Sequence, residues 1–342
     1  MNEYIQLRLN TISVFFIIMN RNLRGFKWFL NTIFDDDSFE RPVYGSYKVT
    51  HSCNLQCPFC NVWNNPVKML NTKEAFKIID RLADSTITVL SLEGGEPLLR
   101  KDILDIIRHA HDRSFYLFMT TNGILLDNAP VKEMSKYLDF LHISIDEGHN
   151  NLFILDKLKS YVDQGLKITV QTVVTRNDIK NLREKVEKVY NAGARILIMP
   201  AVHFDNTPDL SPDRKNMHDL LMELKKEYDG TIVTSYAFIK ALEGSYQCHS
   251  YSVQIDANGD VIYPCSVIGQ SIGNLLENDL DTLLKSERAI EGRKMMKACN
   301  RQCYLYLHAE TSNFTKPSNL AMFVRDTFEG YFLKPKISKT EY

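Results

Sequence analysis

No apolar run approaches the roughly 18–20 residues that a membrane-spanning helix needs. The longest candidate, Ile12–Met19, is bounded by Asn10, Asn20, Arg21 and Arg24. A secretory signal would be followed by small residues at a cleavage site, whereas this stretch runs into Asn20, Arg21, Asn22 and Leu23. A cytoplasmic address is therefore expected, a reducing compartment in which cysteines bind metal or do chemistry. Neither sign of charge dominates: 41 Lys and Arg against 42 Asp and Glu leave a net charge of -1. The protein-wide basic field that gathers nucleic acid is absent, and no nucleic-acid partner is expected. Fifteen glycines and eleven prolines are modest counts, which excludes collagen-like and linker-type chains. Seven cysteines are an odd number and too few, in 342 residues, for a disulfide-built scaffold. What remains is an ordinary globular balance, 44% apolar and 24% charged, in a chain long enough for one large domain with appendages.

Residues 4–34 read as one amphipathic helix, because Ile5, Leu9, Ile12, Phe16, Met19, Leu23, Phe26, Leu30 and Ile33 step by four and three in alternation. Arg8, Arg21, Arg24 and Lys27 make it basic, and Asp35-Asp36-Asp37 ends it. Such a helix either lies in a membrane interface or covers an apolar face of its own domain or of a dimer partner. From about residue 44 to 235, short β-rich runs alternate with helical stretches. The expected strands are 45–50, 88–92, 115–120, 140–145, 168–174 and 196–200; the expected helices include 72–83, 101–112, 152–164 and 178–191. This alternation implies parallel strands with right-handed crossovers, and six repeats fit a partial (β/α) barrel better than a closed eightfold one. Beyond Ser235 the pattern becomes a hairpin, 251–255 and 260–263 around an Asn258-Gly259 turn, followed by a helical segment at 279–297. The expected organisation is an α/β fold with an N-terminal helix (1–40), a partial barrel (41–240), a small cysteine-rich α+β extension (241–312) and a tail (313–342).

Cys53, Cys57 and Cys60 lie directly after the first strand, in a loop short enough to bring three thiolates to one point. Three ligands leave an iron–sulfur cluster with one iron open to an exogenous ligand. A structural zinc site would need a fourth ligand, for which His51 is the nearest residue. Further candidates stand at successive strand ends: Gly94-Gly95-Glu96-Pro97, Thr120-Thr121-Asn122-Gly123, and His142-Ile143-Ser144-Ile145-Asp146. Taken singly, each has a plain structural explanation as a turn or a helix cap.

Taken together, the CxxxCxxC spacing with Phe59 before the last cysteine, and these elements in this order, resemble the radical S-adenosylmethionine superfamily. The resemblance implies a [4Fe-4S] cluster on Cys53, Cys57 and Cys60 whose open iron chelates S-adenosylmethionine. It also implies cofactor contacts from Phe59, from Gly94, Gly95, Glu96 and Pro97, from Thr121 and Asn122, and from Ser144 and Asp146. Glycines permit close backbone approach, and in the family the glutamate helps hold the cofactor's ammonium, a carboxylate–cation pairing. The implied chemistry is one-electron cleavage of the sulfonium by a reduced cluster, releasing methionine and a 5′-deoxyadenosyl radical that abstracts hydrogen from substrate. A ferredoxin or flavodoxin is the expected reductant.

Cys248 and Cys265 bracket the hairpin, and Cys299 and Cys303 are one helical turn apart. Four thiolates suffice for a second, fully ligated cluster or for a zinc ion, with His249 and His308 as alternative ligands. The arrangement is similar to the auxiliary-cluster extensions called SPASM or twitch, in the shorter form, although five residues rather than four separate Gly259 from Cys265. That similarity implies an auxiliary [4Fe-4S] cluster on Cys248, Cys265, Cys299 and Cys303. Many auxiliary-cluster relatives modify peptides using a winged-helix module ahead of the barrel, for which the forty residues here leave no room. The basic helix points instead to a substrate at a membrane surface, a lipid head group of sugar type or a quinone-like molecule. The alternatives are a peptide or cofactor maturase and, in a different class, a non-catalytic zinc-stabilised binding protein.

Overall fold

The computed structural model describes residues 42–203, 209–228, 230–244, 246–301 and 303–311. The expected amphipathic helix at 4–34 and the tail from 313 lie outside the described residues. Six strands, β1 (Tyr44–Thr50), β2 (Val89–Gly94), β3 (Tyr116–Thr121), β4 (Phe140–Ser144), β5 (Ile168–Val174) and β6 (Arg195–Pro200), stand side by side in chain order and all run parallel. The crossovers carry α1 (Thr72–Ala83), α2 (Ile103–Asp112), α3 (Val131–Met134), α4 (Leu158–Asp163) and α5 (Leu182–Asn191), and β6 is followed by α6 (Arg214–Glu227) and α7 (Tyr236–Ala241).

Alternation along each strand sorts two faces. Val49, Leu92, Met119, Ile143, Val170 and Ile198 are buried against the helices, where Ile78, Ile79, Ile106 and Ile107 meet them. Their neighbours Lys48, Glu93, Thr120, Ser144, Gln171 and Met199 remain partly exposed on the inner face. A partial barrel with an accessible, largely polar lumen results, as the strand–helix alternation leads one to expect.

Three helical expectations are revised. The stretch 152–164 begins as a 3-10 turn over Leu152–Lys157, and 178–191 begins as one over Ile179–Asn181. The segment 279–297 divides into α8 (Leu280–Leu284) and α9 (Glu287–Ala298), because the Ser286 hydroxyl accepts from Ala289 N at 3.3 Å and starts a new helix. A last helix, α10, covers Tyr306–Thr311. No helix among the described residues is long and apolar enough to cross a membrane.

The hairpin, β7 (Ser252–Ile255) and β8 (Asp260–Tyr263), joins the barrel sheet itself. β7 pairs parallel with the outer edge of β1, from Tyr44↔Ser252 to Tyr47↔Ile255, and β9 (Gln270–Asn274) completes a nine-stranded sheet. An exposed β1 edge would offer a row of unpaired backbone groups beside the cysteine loop; the C-terminal strands occupy it.

Candidate active site

The cysteine loop is held at its stems by residues outside it. Gly95 N donates to Thr50 O at 2.7 Å, and Glu96 N donates to Ser52 O at 2.8 Å. A Cβ on Gly94 would run into the Thr50 carbonyl oxygen, and one on Gly95 into the carbonyls of His51 and Ser52. The two glycines are needed because two backbones lie flat on one another here. Arg100, buried, donates through Nη1 to Val49 O (2.7 Å) and Leu70 O (3.1 Å), closing both ends of the loop, while Asp102 grips its other face at 2.9 and 2.6 Å. Those charge-assisted bonds, Arg100 foremost, lower the Asp102 pKa to about 2. Immediately after Leu70, Asn71 and Glu74 form a reciprocal capping box that starts α1.

Cys53, Cys57 and Cys60 face one cavity of about 140 Å3, floored by Gly94 and Gly95 and walled by Asn122. Thr121 and Ser144, both expected, line it, as do Glu93, Trp63 and His149, which sequence reasoning did not assign. Ser46 Oγ donates to Glu93 Oε2 at 2.7 Å. Asn122 Nδ2 donates to Asn54 Oδ1 at 2.7 Å and lies 3.9 Å from Cys53 Sγ. The expected contacts Phe59, Glu96, Pro97 and Asp146 stand behind this lining. Phe59 packs edge-on against His149 at 5.3 Å and leaves no room for a side chain at position 148.

Glu96 is fully buried and accepts from Thr121 Oγ1 (2.7 Å), Leu98 N (2.9 Å) and Asn122 N (2.8 Å). Burial pushes its carboxyl above the ordinary range, against the downward pull of those three bonds. Its oxygens thus shape the turn that presents Asn122. Asp146, also fully buried, accepts from His149 N (2.9 Å) and Nδ1 (2.8 Å) through Oδ1 and from Val173 N (3.1 Å) through Oδ2. Burial alone would lower the His149 pKa, but its hydrogen bonds to Asp146 and Cys57 outweigh that and raise it to about 10. Asn151, fully buried and also missed, donates to Asn122 O (2.7 Å) and Ser144 O (2.6 Å), tying the ends of β3 and β4 together.

His51 is not a fourth ligand. Its Nδ1 lies 2.6 Å from Asn65 O, and its Nε2 meets Asp256 Oδ1. The donor set fits an iron–sulfur cluster better than zinc. Zn–S bonds of about 2.3 Å in a tetrahedron would draw sulfurs to roughly 3.8 Å of one another. Among the described residues, the only three His, Cys, Asp or Glu ligand atoms lying within 4.8 Å of one another belong to His218, Asp219 and Glu243. Both cysteine groups are therefore spread more widely around their pockets. Burial pushes the Cys53 and Cys60 thiols up, so a bound cation is what would hold them as thiolates. Trp63 Nε1, buried without a protein acceptor beside this cavity, offers a donor to a group held there.

Cys248, Cys265, Cys299 and Cys303 face a second, smaller pocket with Val267, Ile268, Met296 and Leu305. Burial and the other three thiols push Cys248 up to about 12. Gln247 Nε2 donates to Met296 O at 3.1 Å, drawing the first cysteine toward the end of α9. The unusual spacing after Gly259 is absorbed because β8 ends at Tyr263, before Cys265. Of the two histidines, His308 lines this pocket, its Nδ1 lying 3.3 Å from His249 O.

Comparison with known proteins bears on both sites. The radical SAM superfamily matches residues 47–161, and SPASM, an iron–sulfur cluster-binding domain, matches 247–304. A PqqA peptide cyclase of Granulibacter bethesdensis is 26% identical over 58% of this chain and 60% of its own. Another, of Bradyrhizobium diazoefficiens, is 32% identical over 44% of each. The chain thus spans less than two thirds of the length of these relatives. Streptococcus suis SuiB, solved bound to S-adenosylmethionine, has the same fold, with a TM-score of 0.65 at 17% identity over 78% of this chain and 74% of that one; SuiB has also been solved bound to its precursor peptide SuiA. With a radical SAM match on the barrel and its cysteine loop, and a SPASM match on the second cysteine pocket, the chain combines a radical SAM domain with a SPASM domain.

Proposed function

We propose that this enzyme modifies a peptide by hydrogen abstraction. The observation that carries the reading is the convergence of three thiols, two glycines without room for a Cβ, and Asn122 on a single cavity. The cluster and S-adenosylmethionine, when bound, supply reductive cleavage to methionine and a hydrogen-abstracting 5′-deoxyadenosyl group. Cys53, Cys57 and Cys60 hold the cluster. Gly94, Gly95 and the Glu93 carboxylate face the place where an ammonium would sit, and Thr121, Asn122 and Ser144 offer hydrogen bonds to the carboxylate and ribose. Glu96 and Asp146 position Asn122 and His149 from behind. The second pocket holds the auxiliary cluster, and a ferredoxin or flavodoxin supplies electrons.

A peptide is preferred because both curated relatives described above are named for a peptide substrate and SuiB has been solved with one. The polar inner row from Lys48 to Gln171 suits such a substrate. The expected membrane lipid rested on residues 4–34, outside the described residues, and no relative named above is a lipid enzyme.

Protein purified without oxygen is expected to be brown, to contain iron rather than zinc, and to split S-adenosylmethionine when given dithionite. A colourless zinc protein would sink the reading. Cys299→Ala is expected to retain cleavage well above the Cys57→Ala level while stopping substrate turnover. Comparative mass spectrometry of cells with and without the protein should show a mass-shifted peptide; a change confined to lipids would overturn the substrate assignment.

A further inference from the structure

The loop that carries Cys53, Cys57 and Cys60 is gripped from the far end of the chain. Asp256, at the turn of the β7–β8 hairpin, meets His51 Nε2 through Oδ1, across 205 positions in sequence. The opposite ring nitrogen of His51 bonds Asn65 O at 2.6 Å, so one imidazole links the hairpin to the far arm of the loop. The next residue, Ala257, fully buried, accepts from Leu70 N at 3.1 Å. Lys48 Nζ, on the inner face of β1, approaches the same Asp256 oxygen at 3.7 Å. The hairpin turn is itself firm: Asp256 N donates to Asp260 O at 2.8 Å, and Ala257 N donates to Asp256 Oδ1 at 3.0 Å. Both arms of the cysteine loop therefore rest on two consecutive residues of the SPASM domain.

We infer that Asp256 is a positioning residue for the first cluster site, acting through His51 to hold the cysteine loop closed. A carboxylate hydrogen-bonded to a buried ring is among the stronger restraints a loop can have, and residues 51–70 themselves contain no Asp or Glu. The inference rests on the cluster assignment above only for its significance; the restraint itself is independent of any bound group.

The test uses the full chain as purified without oxygen, with Asp256→Ala, Asp256→Asn, His51→Ala and the double variant. Lys68 is exposed and is the sole trypsin site between Thr50 and Leu70, so cleavage after it reports how often the loop opens. Asp256→Ala should cleave there about tenfold faster than the parent, and Asp256→Asn, which keeps an acceptor, by a smaller factor. In the reduced protein, the electron paramagnetic resonance change on adding S-adenosylmethionine should fall by a similar factor, while the signal insensitive to it persists. In the His51→Ala background, Asp256→Ala should add less than twofold. Parent-like cleavage and spectra in Asp256→Ala, or fully additive effects in the double variant, would overturn the inference. So would loss of both signals together, since that reports a collapsed hairpin instead of a loosened loop.

Discussion

Cys57→Ala is expected to abolish S-adenosylmethionine cleavage, with the loss exceeding the roughly 10–100-fold that removal of an outer partner of a metal ligand costs. Cys57 is the buried member of the three, only 7% exposed, and is the thiol that His149 reaches. Two remaining thiols cannot close a cluster site already one ligand short. Asp146→Ala, which keeps all three thiols but releases His149, should stay within that 10–100-fold band. The measurement is formation of 5′-deoxyadenosine under dithionite, beside the iron content. Cleavage by Cys57→Ala at the parent rate would refute the assignment of the loop, whatever became of the second pocket.

Glu96→Ala should cost more stability than any other single change at this site. It removes the acceptor of three buried donors, Thr121 Oγ1, Leu98 N and Asn122 N, at 2.7–2.9 Å. Breaking such an arrangement from one side costs roughly 3–5 kcal/mol, which for a domain of this size lowers the melting temperature by about 10 °C. Glu96→Gln retains the shape, yet turns an amide N–H toward a backbone N–H, and should fall between the two. Thermal unfolding in the presence and absence of S-adenosylmethionine would show both the loss and a weakened ligand-induced rise. A melting point within about 2 °C of the parent would show that the three bonds carry little weight.

The barrel was legible because each strand–helix unit repeats the same apolar logic. The motif residues were legible because close backbone approach, thiolate ligation and turn formation each demand a residue type. Gly94 and Gly95 are the clearest case, although their steric reason, the carbonyls of Thr50, His51 and Ser52, belongs to a segment more than 40 residues earlier. Glu96 and Asp146 were identified as important, but their places behind the cavity depend on where Thr121 and His149 stand. His149 and Asn151 fall in no periodic pattern, and only the meeting of the β3 and β4 ends gives them work. β9, Gln-Ser-Ile-Gly-Asn, has too little apolar alternation to read as a strand. It is strand because β8 offers an edge.

The pairing of β1 with β7 has a temporal side. The ribosome delivers Cys53, Cys57 and Cys60 early, but roughly 190 residues separate Leu70 from Asp256, and at roughly 5–20 residues per second their synthesis occupies about 10–40 s. Throughout that interval the cysteine loop lacks the two C-terminal contacts, to Asp256 and Ala257, that brace its ends in the folded chain.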